Sequence, residues 1–412
     1  NDTVEIHGPV HILGDDLNPH DTALNLTKNS YIKNNYDGVP DEIKGDIPAL
    51  ELNDDGKATL DATLRVKRGK VHISAAGGQH GWVGQDDTGN ATKDTIDGIY
   101  TTGFTGNDTD GVSIFSDNGH LESYETDLGT VASFPTYADD SGTDHLSKYL
   151  EGFSDNGTTT YAISDGIDLK ASENYYWNAN RHEIGKPVTN KDLGDGDPFD
   201  PEEYMPDYKS VFGVAGSIGV DDLLALGEFF IWWDHNQKQL VINGRIAIRG
   251  DMKTETGKIY YHGKGSFLTY NSTSDYTGSA QIDISSALIP RTITSFDTDP
   301  PVFDEGQFLT ENLIGLMASS KITFDLDDLD DSEGDLHLYG AFYCQDLVEM
   351  EPESAFVTFV GGVASDRFKI KGNAKFVFAP GLDDHWTDDM TMIGAGLPGG
   401  YENVAWVEIG IE

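Results

Sequence analysis

The chain has 412 residues, 37% of them hydrophobic and 10% aromatic, with 47 glycines, which is enough apolar surface for a core and excludes an intrinsically disordered chain. Its 27 basic and 71 acidic side chains leave a net charge of −44, so nucleic acid is repelled as a partner while divalent cations and cationic surfaces are attracted. The one cysteine, Cys344, excludes an intrachain disulfide, and no apolar run reaches the roughly 18 residues of a membrane-spanning helix.

Apolar and polar residues alternate at a period of two, interrupted by Gly, Asn and Asp clusters, which predicts a mainly β protein. In chain order, strands are expected over Val4–Leu13, Ala58–Val66, Lys70–Ser74, Gly111–Phe115, Leu240–Ile248, Lys258–Tyr270, Ser279–Ile284, Lys321–Phe324, Asp335–Cys344, Ala355–Val360, Lys375–Phe378 and Asn403–Ile409. One short helix is expected over Asp221–Trp233, where an aspartate can cap the first turn and Leu223, Leu226, Phe230 and Trp233 fall near a 3.6-residue spacing. Four prolines among many acids in Lys186–Tyr208 predict a long loop. The chain therefore divides into a β-rich region 1–185, an acidic Pro-containing linker 186–219, and a more regular region 220–412.

An internal repeat bears on the architecture. Ile6-x-Gly8-x-Val10-x-Ile12-x-Gly14-Asp15 returns with the same spacing as Ile242-x-Gly244-x-Ile246-x-Ile248-x-Gly250-Asp251, and more loosely as Leu338-x-Gly340-x-Phe342-x-Cys344. Alternation puts Ile6, Val10 and Ile12 on one face, with glycines where a side chain would obstruct a neighbour or a bend needs an unusual backbone angle. The pattern predicts a parallel β-helix or β-solenoid-like core with long acidic loops; antiparallel β-sandwich domains are the alternative.

Motifs for chemistry are sparse. Gly394-Ala395-Gly396-Leu397-Pro398-Gly399 matches a dinucleotide fingerprint formally but has no βα unit around it. Ser217 in Ala215-Gly216-Ser217-Ile218-Gly219 reads as part of a turn before the helix rather than a nucleophile elbow. His7 and His11 share a strand face about 13 Å apart, too far to hold one metal. No catalytic residue is assigned, and the chain is read as a non-enzyme.

Oxygen-rich turns suit calcium. The candidate ligands are Asp192, Asp195, Asp197 and Asp200 in one turn, and Asn53 and Asp55 in an EF-hand-like opening with Ala62 where a bidentate glutamate would stand. Six Asn-x-Ser/Thr sequons begin at Asn1, Asn25, Asn90, Asn107, Asn156 and Asn271. Tyr175, Tyr176, Trp177, Trp232 and Trp233 could stack on sugar rings, which keeps open a carbohydrate-active β-helix lyase or hydrolase as an alternative; a calcium-dependent binding module is another.

In the second half, LVINGRIAIRGD (Leu240–Asp251), IYYHGKGSF (Ile259–Phe267), IDISSALIP (Ile282–Pro290), LIGLMAS (Leu313–Ser319) and LYGAFYCQDL (Leu338–Leu347) occur in an order that resembles bacterial type IV pilus-assembly proteins of the pilin superfamily, of minor-pilin type. The openings Gly8–Gly14 and Asn35–Pro40, and the ending Leu397–Gly400 with Val404-Ala405-Trp406, are similar to the same ectodomains. The resemblance implies an extracellular or cell-surface structural protein in filament assembly or adhesion, associating with itself or with other pilus or surface proteins, with polysaccharide as a further partner and no catalytic residues to carry over. Such proteins carry an N-terminal hydrophobic helix, which these residues do not include.

Overall fold

A computed structural model describes residues 3–14, 21–27, 29–37, 39, 41–47, 59–76, 79–86, 93–106, 113–119, 154–155, 159–160, 163–164, 166–179, 188–189, 220–255, 257–271, 280–296, 300–326, 336–352, 356–370 and 372–382. The fold is mainly β, and most of its described strands pair in parallel. Parallel neighbours require a crossover, so the chain leaves each strand, passes through two others at an angle to it, and returns beside its start.

Three ladders result. The first takes Gln239–Arg249 through its opening residues, then Lys258–His262, Ala287–Ser295, the start of Leu336–Glu351, the start of Phe356–Ile370, and Asn373–Phe378. The second takes Ile163–Ser164, the end of Gln239–Arg249, Lys264–Tyr270, Leu313–Ala318 and the middles of the two longest strands. The third takes Ile167–Leu169, Met252–Thr254, Gln281–Ile284, Lys321–Asp325 and the ends of those long strands. Because Gln239–Arg249 and Leu336–Glu351 both run from the first ladder into the second, they close a ring of parallel pairings with Lys258–His262, Ala287–Ser295, Leu313–Ala318 and Lys264–Tyr270.

The first ladder does not stop at the last described strand. Asn373–Phe378 pairs in register with the first strand of the chain, Thr3–His7, which pairs in turn with Asn29–Lys33, and that with Gln79–Val83. Residues at opposite ends of the sequence are thus neighbours, with the Thr3 amide donating to Asn373 Oδ1 at 2.8 Å. Beyond this crossing the other two faces are separate three-stranded sheets: Val10–Ile12, Thr63–Val66 and Gly98–Tyr100 in one, Thr22–Leu26, Lys70–Ile73 and Phe104–Gly106 in the other.

The internal repeat marks one edge of this stack. Gly244 is level with Gly265, Gly340 lies against Ile314 and is level with Gly361, Gly361 is level with Phe378, and Gly8 lies against Phe378. All three repeat glycines therefore stand in one column, at the corner between the first and second ladders, with φ of 125° at Gly8, 72° at Gly244 and 155° at Gly340. At Gly361, φ is 146° and a Cβ would sit 1.8 Å from the Gly340 carbonyl oxygen, so this position must be glycine.

Inside, the alternating apolar positions form one core from Val4 to Ala379. Cys344 lies in it, as its setting in sequence predicts, and burial pushes its thiol up to about 12. A second, smaller cluster lies outside the sheet, where Val220 and Leu223 cover Tyr176, Phe230, Trp232, Val241 and Ile293.

The structure corrects several sequence expectations. The helix is confined to Val220–Ala225 and ends at Gly227, whose φ is 66°; Phe230–Asp234 is a strand antiparallel to the start of Gln239–Arg249. A second short helix, Asp41–Lys44, was not foreseen. Val4–Leu13 and Lys258–Tyr270 each break into two strands, at Gly8 and Gly263. Of the expected strand Gly111–Phe115, the described residues 113–115 contribute a bridge from Ile114 to Val83. Within the expected loop, Val188–Thr189 pairs antiparallel with Tyr175 and Tyr176. The expected strand Asn403–Ile409, the glycine-rich Gly394–Gly399 and Ser217 lie outside the described residues.

Candidate functional site

Asp192, Asp195, Asp197, Asp200, Asn53 and Asp55 lie outside the described residues. Among the described residues no group of three or more His, Cys, Asp or Glu side chains is arranged to hold a metal ion. Ala62 is a core residue whose amide donates to Asn34 Oδ1 at 3.0 Å. Tyr175, Tyr176, Trp177, Trp232 and Trp233 are all at most 5% exposed, so these rings pack in the two apolar clusters and no sugar can stack on them. His7 and His11 do not share a face either: the turn at Gly8 places His7 on the first ladder and His11 on the second. Burial, with Arg65 and Lys67 nearby, lowers the His11 pKa to about 3.

The prominent polar cluster sits at the crossing between the two ends of the sequence. Glu5 and His7 lie two residues apart on the Thr3–His7 strand and project from the same side of it. Glu5 Oε1 takes the Lys33 ammonium at 3.0 Å, and Oε2 takes Lys375 at 3.0 Å and His7 Nε2 at 3.2 Å. Lys33 comes from the strand on one side and Lys375 from the strand on the other. Burial alone would raise the Glu5 pKa, but the His7 hydrogen bond and the two ammonium groups outweigh it and hold the carboxyl well below the usual range.

His7 is fully buried, and its Nδ1 lies 2.7 Å from the Asn35 carbonyl oxygen and 3.0 Å from Asn35 Oδ1. Asn35 Nδ2 donates to Asp94 Oδ1, and burial raises the Asp94 pKa. Next to it, Asn34 Oδ1 accepts from the amides of Leu60 at 2.8 Å and Ala62 at 3.0 Å, and from Thr59 Oγ1 at 3.1 Å. Asn34 thereby brackets the mouth of the excursion that leaves the Asn29–Lys33 strand and returns at Thr63–Val66. Among its described residues, Asp46 Oδ2 accepts the Phe308 amide at 3.1 Å, and the Phe308 ring centroid lies 5.4 Å from that of Tyr339.

Chemically this is a fastening. Its histidine is buried, its carboxylate and two ammonium groups are mostly buried, and all of them are satisfied by one another, which suits holding two parts of a chain together. Sequence reasoning missed it because Lys33 and Lys375 are 28 and 370 residues from Glu5, and the one local sign was the charged Glu5–His7 pair on a strand otherwise buried.

No family model matches the chain, and no curated protein matches it. Among solved structures, the chain is similar to the crystal structure of the competence-associated pilin ComZ from Thermus thermophilus, with a TM-score of 0.53 and 14% identity, over 92% of this chain and 67% of that one. The likeness is one of fold. No described helix is long and apolar enough to cross a membrane.

Proposed function

We propose that this chain is a pilin-like structural protein, outside the cell or on its surface, working in filament assembly or adhesion. The observation that carries the reading is the fold shared with a pilin across 92% of the chain. The stacked parallel ladders support a β-solenoid, a rigid body suited to display and lateral contact, and the salt-bridged fastening at Glu5 supports a holding role. The partners are further copies of the chain or other pilus and surface proteins. A net charge of −44 disfavours nucleic acid and favours calcium at the exposed acids. Burial of the candidate stacking aromatics removes the ring-stacking support for the carbohydrate-enzyme reading.

Electron microscopy of native extracellular material beside the purified protein, with and without calcium, tests this. Filaments or surface structures that bind an antibody to the chain are the expected result. Dispersed monomers under every condition, with no label on the cell surface, would overturn it.

A further inference from the structure

We infer that Asn271 carries an N-linked oligosaccharide in the mature protein. N-glycosylation requires the Asn-x-Ser/Thr sequence and an asparagine amide that the transferring enzyme can reach. Four of the six sequons begin outside the described residues, which leaves Asn25 and Asn271 to compare.

The two differ in surroundings. Asn25 is inside the Thr22–Leu26 strand, paired with His72, and its side-chain oxygen is sealed from solvent; Leu26, the middle residue of its sequon, is 1% exposed. Asn25 is half-buried and its sequon is held extended within a paired sheet, a poorer target for the transferring enzyme than an exposed strand end. Asn271 is exposed and follows Tyr270 at the end of a strand, at the corner between the second and third ladders.

Among the described residues this corner is open for a physical reason. The neighbouring level turns at Gly250, whose amide donates to the Tyr270 carbonyl at 3.0 Å, and the level beyond turns at Gly166. Both have positive φ, 125° and 80°, and a Cβ on Gly166 would lie 2.5 Å from the Asp251 carbonyl oxygen. With no side chains on two successive corners, an open cleft of about 720 Å³ lies along the edge, with Asn271 in its wall beside Asp168, Arg249, Asp251 and Lys253. That lining offers both donors and acceptors, the complement of a hydroxyl-rich sugar. The proximal sugar on Asn271 has room to lie in the cleft, and the glycan covers this corner of the stack.

The inference rests on the reading of the chain as exported, and its test separates the two. The protein is recovered from its own cells, its location is measured by surface labelling, and its peptides are mapped by mass spectrometry. The Asn271 peptide is expected to carry a glycan and the Asn25 peptide none; Thr273→Ala should abolish the modification and Thr273→Ser preserve it. A bare Asn271 on surface-labelled protein would overturn the inference and leave the pilin-like reading standing. Bare Asn271 in protein confined to the cell interior would overturn both, and a glycan on Asn25 would overturn the burial argument.

Discussion

The two halves of the stack, residues 3–119 and 163–382, build the same three-ladder arrangement from different material. In the later half, single strands of 16 and 15 residues pass two corners without breaking, and the interior holds a row of rings, Phe324, Phe342, Phe359 and Phe376, with centroids 4.8, 4.9 and 5.7 Å apart. In the earlier half the strands have two to five residues and the described buried apolar residues are all aliphatic. A long strand ties three faces into one hydrogen-bonded unit, whereas short strands leave each face to its own sheet. The earlier half therefore depends more on its brackets and on the first ladder, the one ladder that joins it to the rest among the described residues. The later half is expected to be the more protected in hydrogen exchange, and a loss there to reach both halves.

Gly361→Ala is the most severe way to strike the later half. It sets a Cβ 1.8 Å from a carbonyl of the adjoining strand at a φ of 146°, combining backbone strain and overpacking for on the order of 4–6 kcal/mol. Denaturant unfolding should show the loss, and amide exchange should speed up in both halves. Faster exchange in residues 336–378 alone would mean that the earlier half stands by itself.

Phe359→Ala comes next. It removes the ring between Phe342 and Phe376 and should cost about 3–5 kcal/mol, the range for a buried aromatic truncated to alanine. A loss below about 1 kcal/mol, again on that scale, would show that the ring row fills space without organising the core.

How far the sequence discloses this molecule can be judged from the same residues. Strands such as Lys321–Asp325 and Asn373–Phe378 are legible because one face is buried and the other is wet, so alternation survives. Phe230–Asp234 is not, because it is buried on both sides: Ile231 and Trp233 face the main core, and Phe230 and Trp232 face the outer cluster. A strand buried on both faces reads as a continuous apolar run, and the same run satisfies a helical spacing. The repeat around Gly8, Gly244 and Gly340 is legible as a repeat, yet nothing local says that these glycines share a column, since stacking order is set by pairings hundreds of residues apart. The fastening at Glu5 is hidden for the same reason, whereas the burial of Cys344 follows from its apolar neighbours.

Asn34→Ala tests the earlier half. It strands the buried amides of Leu60 and Ala62 and the Thr59 hydroxyl, and unsatisfied groups of this kind cost about 1–3 kcal/mol each. A total of about 2–4 kcal/mol is expected after local relaxation. Exchange should quicken at residues 59–66 and stay unchanged at residues 336–370. Uniform acceleration across both halves would show that the two open as one unit and that their difference in strand length has no energetic counterpart.

Glu5→Gln is the mildest change and addresses the join itself. The substitution keeps the shape and removes the charge that Lys33, Lys375 and His7 surround, for about 1–2 kcal/mol near neutrality, since the partly exposed pair is screened by solvent. The sign of its pH dependence follows from the direction of the shift. The Glu5 carboxyl is held below its ordinary value of 4.5 in the folded chain, so its contribution is fully present above that pH and declines as the pH falls below it, where the unfolded chain takes up the proton first. Other carboxylates titrate in the same range, so the difference between the two proteins is the quantity to follow. That gap should be constant from neutrality down to about pH 4.5 and narrow below it. A gap that stays the same in acid would show that the charge on Glu5 is not what fastens the first strand between its neighbours, and would leave the join to the hydrogen-bonded ladder and the apolar faces of Ile6 and Phe376.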